Sequence, residues 1–486
     1  CALPILNIQV VYDWTASTSD YDEKMSLCIG SNTIPEIMNV NATQYRALLK
    51  YDMIQPLDKY FDDYASDALK SYVKSGGEEL QKCITNEDGE LMAIPAPNLT
   101  AGGVNEMWIR QDWLDALGLD VPRTWDELAE VAKAFVTRDP DGNGENDTIG
   151  ILGPGNSDHM NAVGGNQFGL DPLFSCFQSY PQYWLKSEDG SVEYGSIQPE
   201  TKTALENISK LYADGVIDPE IIVRSDSKEP LLAGKVGIFF GPWWCAYTFA
   251  DTTLSGSADW RAYFTPLSED GKYYTHMAEP TTQYVVASKD CKNPEAAFKI
   301  INYIVANEQK WVEEGVTSTE MGTGDFYPLY NTYDNADEIE KSYEALTKYL
   351  AGDISMDDVD FSTHKLLKND MEAVTKLKKK PYDDFSLKYW NLDSDLAKTN
   401  LPRLVAIMVG DAPLVNEEYV PVYNAYNGQT ETMEAKWANL KKMEEETFAK
   451  IIMGKADISE FDTFVKNWKN QGGDQILKEI NDELSK

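Results

Sequence analysis

The chain has 486 residues, which at roughly 100 to 200 residues per domain is too long for one compact core and predicts two or three units. Its apolar fraction of 42% and charged fraction of 25% are typical of a protein with a buried core and exclude a disordered chain. The formal net charge of -37 repels phosphates and anionic lipid head groups, which argues against nucleic-acid partners and direct lipid adsorption.

The sequence also argues against a transmembrane segment, a signal peptide and a disulfide framework. No run of about 18 or more apolar residues is present, so no transmembrane segment is predicted in this chain. The amino end lacks the charged and apolar regions of a signal peptide. The scattered cysteines have no CxxC pair and no histidine at zinc spacing, so five are interpreted as mostly buried free thiols, with disulfides as the alternative. They are Cys28, Cys83, Cys176, Cys245 and Cys291.

Short β-branched runs alternate with amphipathic helical stretches from the amino end onward. Strands are predicted from Asn7 and Glu36, and helices over 20–29 and 43–51. This alternation is typical of an α/β layer with parallel strands. Further strands are predicted at apolar runs that begin at Leu91, Val236 and Tyr284.

Helices dominate the later sequence. A capping box over Thr124–Glu127 predicts a helix to about Val136, and Asn293–Pro294 begins another. Beyond about residue 325 the chain is predicted to be mainly helical, notably over 433–453. No low-complexity linker is present, so any two lobes are expected to be joined by short hinge strands.

Residues 139–147 read DPDGNGEND and predict a structural calcium loop. The donors would be Asp139, Asp141, Asn143, the main-chain carbonyl of Glu145, and Asp147, at positions 1, 3, 5, 7 and 9 of an EF-hand-like loop. Gly144 takes the sharp-turn position. Position 12 is Gly150, so the bidentate glutamate of an EF-hand is absent. A metal-free Asp/Gly turn is the alternative.

Aromatic residues that follow predicted strands are candidate sugar contacts. Trp243 and Trp244 come directly after the strand VGIFFG, and Tyr247 follows closely. Flat aromatic faces suit the C–H face of a pyranose. Since neighbours on a strand point oppositely, one tryptophan is expected to face the ligand, with core packing of both as the alternative. Trp14 ends an early strand, where α/β clefts bind ligands, and core packing is its equal alternative.

Sequence motifs argue against an enzyme. The patterns GxSxG, GxxxxGK[ST] and a strand-linked GxGxxG are absent, and the histidines are His159, His276 and His364. A glycoside-active enzyme stays an alternative, because two carboxylates suffice for its chemistry and the chain has 80 acidic residues.

The fragment VGIFFGPWW, followed by ADWRAYFTPLSEDGKYYTHM, resembles extracellular solute-binding proteins of family 1, especially lipoprotein-type sugar ABC transporter receptors of Gram-positive bacteria. Four further segments carry the same resemblance, so that it covers nearly the whole chain. They are IPEIMNVNATQY, MWIRQDWLDALGLDVPRTWDELAEVAKAF, NPEAAFKIIN and YNGQTETMEAKWANLKKMEEETFAKIIMG. Related receptors for acidic oligosaccharides carry a structural calcium in a similar loop.

The resemblance implies an α/β, two-lobe periplasmic-binding-protein-like fold of type II, with hinge strands, an interlobe cleft that closes by hinge motion, and a helical C-terminal extension. Lobe one would contain 1–105 plus 285–325, and lobe two 106–284 plus 326–486 with the calcium loop and helical tail. Such lobes usually begin with a further strand and helix, so the chain is interpreted as amino-terminally incomplete. Cys1 is followed by ALPIL rather than a polar tether, so the lipid-modified cysteine is expected upstream, with lipidation of Cys1 itself as the alternative.

The implied crossings between lobes suggest further contacts. Trp108 and Arg110 lie near the first crossing, where Arg110 would bond a sugar hydroxyl or pair with a carboxylate, and a structural salt bridge is the alternative. Asn105 and Glu279 would be polar contacts, with hinge hydrogen bonds as the alternative. Trp390 is a further aromatic candidate, for which surface or core packing is the alternative.

The sequence therefore predicts the substrate-binding component of an ABC importer, with permease subunits as partners and an oligosaccharide as ligand. It would act outside the cytoplasmic membrane as a cell-surface lipoprotein. A receptor for peptides or another non-sugar nutrient is an alternative. The charge of the sugar stays open: uronic acids fit an acidic protein poorly, although one local arginine such as Arg110 would suffice.

Overall fold

The computed structural model describes residues 2–3, 6–155, 166–313, 329, 331, 333–361, 364, 366–379 and 389–485. The prediction for Cys1 lies outside these residues. The strands are β1 Ala2–Leu3, β2 Ile8–Gln9, β3 Ile37–Asn41, β4 Ile94–Pro97, β5 Glu106–Arg110, β6 Ile149–Ile151, β7 Trp184–Lys186, β8 Val192–Tyr194, β9 Val236–Gly241, β10 Trp260–Tyr263, β11 Tyr273–His276, β12 Thr281–Ala287 and β13 Tyr419–Val422.

The helices alternate with these strands at first and dominate after β12. They are α1 Thr18–Gly30, α2 Ala42–Lys50, α3 Asp58–Tyr64, α4 Asp67–Ser75, α5 Gly77–Ile84, α6 Gln111–Leu117, α7 Trp125–Thr137, α8 Asp171–Ser175, α9 Pro199–Ala213, α10 Lys228–Leu232, α11 Ala246–Leu254, α12 Glu295–Glu313, α13 Glu338–Ala351, α14 Leu367–Leu377, α15 Asp395–Val405, α16 Ala412–Asn416, α17 Glu431–Ile452, α18 Glu460–Trp468 and α19 Asp474–Leu484. Among the helices described, none is both long and apolar enough to cross a membrane.

The chain divides into two compact units. Unit 1 contains Cys1–Thr100, Glu279–Glu338 and Asp360–Lys365. Unit 2 contains Ala101–Ala278, Ile339–Val359 and Leu366–Lys486. Their assignment as functional lobes stays a prediction.

The sheet of unit 1 has the order β3-β12-β4, with β12 antiparallel to both neighbours. The predicted layer with parallel strands differs in detail here, because β3 and β4 share a direction but β12, from a distant part of the chain, lies between them and runs antiparallel to both. The predicted strand from Asn7 also shortens to β2. Val11 is 72% exposed, and Val10, although half-buried beside Ile300 and Ile304, lies outside the strand.

The sheet of unit 2 has the order β10-β5-β9-β6. β9 runs parallel to β6 and antiparallel to β5, and β5 is antiparallel to β10. Glu106 therefore pairs with Gly241, and Met107 lies between Phe240 and Tyr263. As a result β6, β9 and β10 end, and β5 begins, at one edge, which we call the carboxyl edge of unit 2.

Local signals set the helices that pack on this sheet. The predicted capping box of α7 is confirmed, since the amide of Glu127 donates to Thr124 Oγ1 at 3.3 Å and that of Thr124 to Glu127 Oε2 at 3.0 Å. The five described cysteines are free, as predicted.

A buried acid links α17 to the rest of unit 2. Glu444 of α17 accepts hydrogen bonds from Tyr194 Oη at 2.8 Å and Ser196 Oγ at 2.9 Å. Burial raises the pKa of Glu444 to about 7. The apolar face of α17, which includes Leu440 and Phe448, packs in the core of this unit.

Candidate functional site

The tryptophan pair predicted from the sequence lies at the carboxyl edge of unit 2. All six residues of β9 are buried, and Pro242 then leads into a tight turn over Trp243–Cys245 at the start of α11. Trp243 is 5% exposed and Tyr247 is 48% exposed, whereas Trp244 is half-buried. The edge thus presents aromatic surface from Trp244 and Tyr247, with Trp243 beneath the surface.

A π-helical turn over Ala406–Gly410 fixes the position of Trp243. A Cβ atom added to Gly410 would lie 2.6 Å from the main-chain oxygen of Trp243 and 3.0 Å from Trp108 Cζ2, so only glycine allows this approach. The amide of Asp411 then donates to the carbonyls of Ala406 at 3.1 Å and Ile407 at 3.2 Å. Such π-helical turns occur often at functional sites.

Two carboxyl groups at this edge were not predicted. Glu106 and Asp411 are both fully buried, and none of their carboxylate oxygens has a hydrogen-bond partner among the described residues. Burial, followed by the negative charge of Asp411, raises the pKa of Glu106 well above its usual value. Burial, followed by the charge of Glu340, raises the pKa of Asp411 to about 9. Burial therefore disfavours the ionised form of both carboxyls.

An open pocket of about 260 Å³ borders the tryptophan segment in unit 2. Its lining is mostly polar and comprises Pro154, Asn166, Gln167, Phe168, Ser225, Asp226, Ser227 and Lys228. The amide of Phe168 donates to the carbonyl of Phe240 at 2.7 Å, and Gln167 Nε2 donates to Thr248 Oγ1 at 2.5 Å. These bonds hold the pocket wall against β9 and α11. Polar groups beside aromatic rings are the usual composition of a sugar site.

Trp108 and Asn105 are placed inside unit 2. Trp108 is fully buried, stacks on Phe239 with 6.3 Å between ring centres, and donates from Nε1 to the carbonyl of Pro242 at 3.4 Å. Asn105 Nδ2 donates to both carboxylate oxygens of Asp171 at 3.0 Å. Burial raises the pKa of Asp171 to about 7. Interior packing explains both residues, and their contact with a ligand stays a prediction.

Arg110 lies at the other edge of the sheet, where β5 ends and β10 begins. Its guanidinium forms two hydrogen bonds with Asp112, from Nε at 2.8 Å and from Nη2 at 2.5 Å. It also donates to the carbonyls of Gly234 and Ser257 and lies 4.6 Å from the ring centre of Trp113. The structural salt bridge explains this residue. Since α/β sheets bind ligands at the carboxyl ends of strands, its position does not favour ligand contact.

Two of the other candidates belong to unit 1. Trp14 is half-buried and packs on Tyr21 with 5.4 Å between ring centres. Glu279 is half-buried, lies 3.9 Å from the guanidinium of Arg46, and has its pKa raised by burial. Its main-chain oxygen accepts a hydrogen bond from Asn98 Nδ2 at 2.8 Å. Both stay predicted ligand contacts.

Trp390, in unit 2, is 2% exposed. The ammonium group of Lys378 lies 5.4 Å from its ring centre, a cation–π contact in the interior. Core packing therefore explains Trp390, and its contact with a ligand stays a prediction.

The acidic loop at 139–147 is folded by its own polar groups. Asp139 accepts hydrogen bonds from the amides of Asn143 and Gly144, both at 3.1 Å. Gly144 has a φ of 81°, which permits the sharp turn. Asn143 Nδ2 donates to Asp141 at 2.9 Å and to Asp147 at 3.2 Å, so it brings these two carboxylates together.

The carboxylates of this loop favour a bound cation, but Lys235 already pairs with one of them. Burial, followed by a hydrogen bond and negative charge from Asp139, raises the pKa of Asp141. Lys235 lies 2.9 Å from Asp147 and lowers its pKa. In the part of the chain that the structure describes, no three acidic, cysteine or histidine side chains form a metal site on their own. The predicted donors also include the amide oxygen of Asn143 and the carbonyl of Glu145, which suit calcium.

Comparison with known proteins identifies relatives of this chain. Residues 6–311 match the family described as bacterial extracellular solute-binding protein. The fructooligosaccharide ABC transporter substrate-binding protein FusA of Streptococcus pneumoniae is 30% identical over 246 residues, which are 47% of this chain and 43% of FusA. Lipoprotein LipO of Bacillus subtilis is 28% identical over 242 residues, 47% of this chain and 43% of LipO. This chain thus spans less than half the length of these two relatives.

A third relative aligns over a longer stretch. The polygalacturonan/rhamnogalacturonan-binding protein YtcQ of Bacillus subtilis is 24% identical over 469 residues, which are 94% of this chain and 82% of YtcQ.

Solved structures share the fold. An HMO-binding ABC-transporter-associated solute-binding protein of Bifidobacterium longum infantis has a TM-score of 0.59 at 17% identity, with 95% of this chain and 90% of that chain covered. The alginate-binding protein AlgQ2 without calcium ion has a TM-score of 0.57 at 18% identity, with 96% and 89% covered. An EF-hand mutant of Streptococcus pneumoniae FusA with fructo-nystose has a TM-score of 0.55 at 19% identity, with 97% and 92% covered. The predicted α/β solute-binding fold is confirmed.

Proposed function

Since this chain belongs to the bacterial extracellular solute-binding proteins, a family of binding proteins rather than enzymes, we propose that it is the substrate-binding component of an ABC importer and captures an oligosaccharide. FusA and YtcQ, named for oligosaccharide or polysaccharide binding, support this ligand class. Permease subunits of the importer are the expected partners. Capture by hinge closure stays a prediction of the resemblance.

The aromatic carboxyl edge of unit 2 carries the proposal. Trp244 and Tyr247 offer exposed ring surface, and a pocket whose lining includes Asn166 and Gln167 is tied to the same segment through the hydrogen bond from Gln167 to Thr248. A pyranose or furanose ring presents C–H groups on one face and hydroxyls around its rim, which matches rings flanked by amides. This composition favours a sugar over an apolar nutrient.

A thermal-shift screen of the purified chain tests this function. Oligosaccharides and peptides are added separately with calcium present, since a ligand that binds the native state raises the melting temperature. We expect a saturable rise with at least one oligosaccharide and no cleavage products. A response to peptides alone would establish the non-sugar receptor instead, and release of new reducing ends would establish the glycoside-active enzyme.

The acidic loop is proposed to hold a structural Ca²⁺ through Asp139, Asp141, Asn143, the carbonyl of Glu145, and Asp147. Supporting observations are the convergence of carboxylates around Asn143 and relatives described without calcium ion or with an EF-hand mutation. Bound calcium would require the Asn143 amide to turn, so that its oxygen rather than its nitrogen faces these carboxylates.

Calcium removal is expected to destabilise the protein. At about 100 times the Kd, calcium would stabilise the native state by about 2.7 kcal/mol, and this contribution is lost in excess chelator. Melting measured by calorimetry with calcium or chelator should show this difference. Asp141→Ala should abolish it, whereas Asp189→Ala, in another exposed turn of unit 2, should retain it. Identical melting of the wild-type protein in both conditions would contradict the proposal.

Attachment to the cell surface as a lipoprotein is proposed from the likeness to LipO. A lipobox cysteine of the full-length protein would carry such an anchor. Metabolic labelling of the full-length protein with a fatty acid, lost when that cysteine is replaced, would support the anchor, whereas an unlabelled protein would contradict it.

A further inference from the structure

The arginines of unit 2 are already engaged by the protein. Uronate carboxylates are best recognised by the bidentate guanidinium of arginine, and burying a carboxylate without such a partner is costly. Five arginines of this unit are within 3.1 Å of an aspartate or glutamate oxygen. These pairs are Arg110–Asp112, Arg123–Glu417, Arg224–Asp218, Arg261–Asp259 and Arg403–Asp370.

The two other arginines are poorly suited as well. Arg138 donates to the carbonyl of Leu117 at 3.1 Å and directly precedes the acidic loop 139–147. Arg46, in unit 1, lies 3.9 Å from Glu279, so a carboxylate of the protein already faces it.

Arg403 reaches the carboxyl edge of unit 2 through a hydrogen bond with Tyr247, but its Nε already donates to both carboxylate oxygens of Asp370. Each arginine among the described residues thus already faces a carboxylate or carbonyl group of the protein.

Two carboxyl groups beside Trp243 have no hydrogen-bond partner among the described residues. Glu106 and Asp411 are fully buried, the charge of Asp411 adds to burial in raising the pKa of Glu106, and the charge of Glu340 does the same for Asp411. If Glu106 and Asp411 are ionised they repel an anionic ring, and if they are neutral they provide no positive charge for it. In either protonation state, the carboxyl edge of unit 2 favours a ligand with hydroxyl groups over a ligand with carboxylate groups.

Lys228 is the cation that lines the adjacent pocket. Its side chain is exposed, and an ammonium group in water is strongly hydrated and interacts weakly with a single carboxylate. One exposed lysine does not offset the acidic surroundings of Trp243.

We infer that the ligand of this protein is an uncharged oligosaccharide rather than one that contains uronic acids. The inference rests on the proposed sugar-binding function and goes beyond it, because it fixes the charge of the ligand. It also separates this chain from its relative YtcQ, whose name refers to polygalacturonan and rhamnogalacturonan.

Calorimetric titration with matched probes tests the inference. Uncharged fructo-, gluco- and galacto-oligosaccharides of three to five units are compared with oligogalacturonates of the same lengths, at low and high sodium chloride. We expect saturable binding of at least one uncharged probe, nearly independent of salt. The affinity for every oligogalacturonate should be lower by a factor of at least about 100.

Each other outcome overturns a defined claim. Oligogalacturonate binding of comparable or higher affinity, weakened by salt and by Lys228→Gln, would overturn the inference and leave the sugar receptor intact. Binding of peptides with no response to either sugar series would instead overturn the proposed function, and the inference with it.

Discussion

Replacing Trp244 by alanine is expected to weaken oligosaccharide binding about 100-fold, because aromatic contacts of this kind contribute about 2 to 4 kcal/mol to binding. Trp244 lies at the carboxyl edge of unit 2 and is half-buried, so one part of its ring is anchored and another is available to a ligand. The substitution removes ring surface at the protein exterior and should change the melting temperature little. Titration calorimetry of both proteins with the same sugar measures the effect.

Trp437→Ala is the matched control in the same unit. Trp437, in α17 of the helical tail, is also half-buried. It packs on Trp184 of β7 and Tyr194 of β8, each with 5.4 Å between ring centres. Its removal should lower the free energy of unfolding by about 2 kcal/mol or more and leave sugar affinity unchanged. Equal affinities of Trp244→Ala and the wild-type protein would show that the ligand is bound elsewhere.

Asp411→Asn is expected to increase the free energy of unfolding at pH 8 by about 1 to 3 kcal/mol. Burial raises the pKa of Asp411 to about 9 in the folded protein, whereas the unfolded chain ionises near the ordinary value of 3.8. Between these values folding takes up a proton, so the wild-type protein loses stability as the pH rises from about 4 to about 9. Asparagine does not titrate, so the advantage of the variant should shrink towards pH 4.5.

Glu444→Gln is the comparison variant. Near pH 8 it is expected to lower the free energy of unfolding, whereas Asp411→Asn raises it. Glu444 is also fully buried, but its carboxylate accepts hydrogen bonds from Tyr194 and Ser196. An amide has one acceptor oxygen instead of two, so the variant leaves one hydroxyl without its partner and should be less stable than the wild-type protein. Chemical denaturation at several pH values measures both variants. Lower stability of Asp411→Asn at pH 8 would contradict the raised pKa of Asp411.

Local sequence signals predicted much of the fold. The capping box at Thr124 requires residues only three positions apart, and the apolar run of β9 identifies a buried strand without further information. The insertion of β12 between β3 and β4 depends on contacts between residues more than 180 positions apart, as for Thr281 and Pro97, which no local pattern encodes. The family resemblance assigned 285–325 to the lobe that contains 1–105, but it did not predict that β12 separates β3 from β4.

Part of the candidate site could be predicted from local sequence, and part depends on contacts between distant parts of the chain. Trp243 and Trp244 follow a clear strand, so their place at its carboxyl end could be predicted. The position of Arg110 at the opposite edge follows from the antiparallel direction of β5, which the sequence did not reveal. Glu106 offered a signal, as an acid at the start of an apolar strand, but its proximity to Asp411 joins distant parts of the chain.

The most direct test of sugar capture is calorimetric titration of the purified chain, in calcium, with the oligosaccharide that gives the largest thermal shift, followed by chromatography of the recovered sugar. We expect a saturable heat with one sugar bound per chain and an unchanged sugar afterwards. Shortened products, or the absence of saturable binding for every oligosaccharide tested, would contradict a receptor that captures sugars.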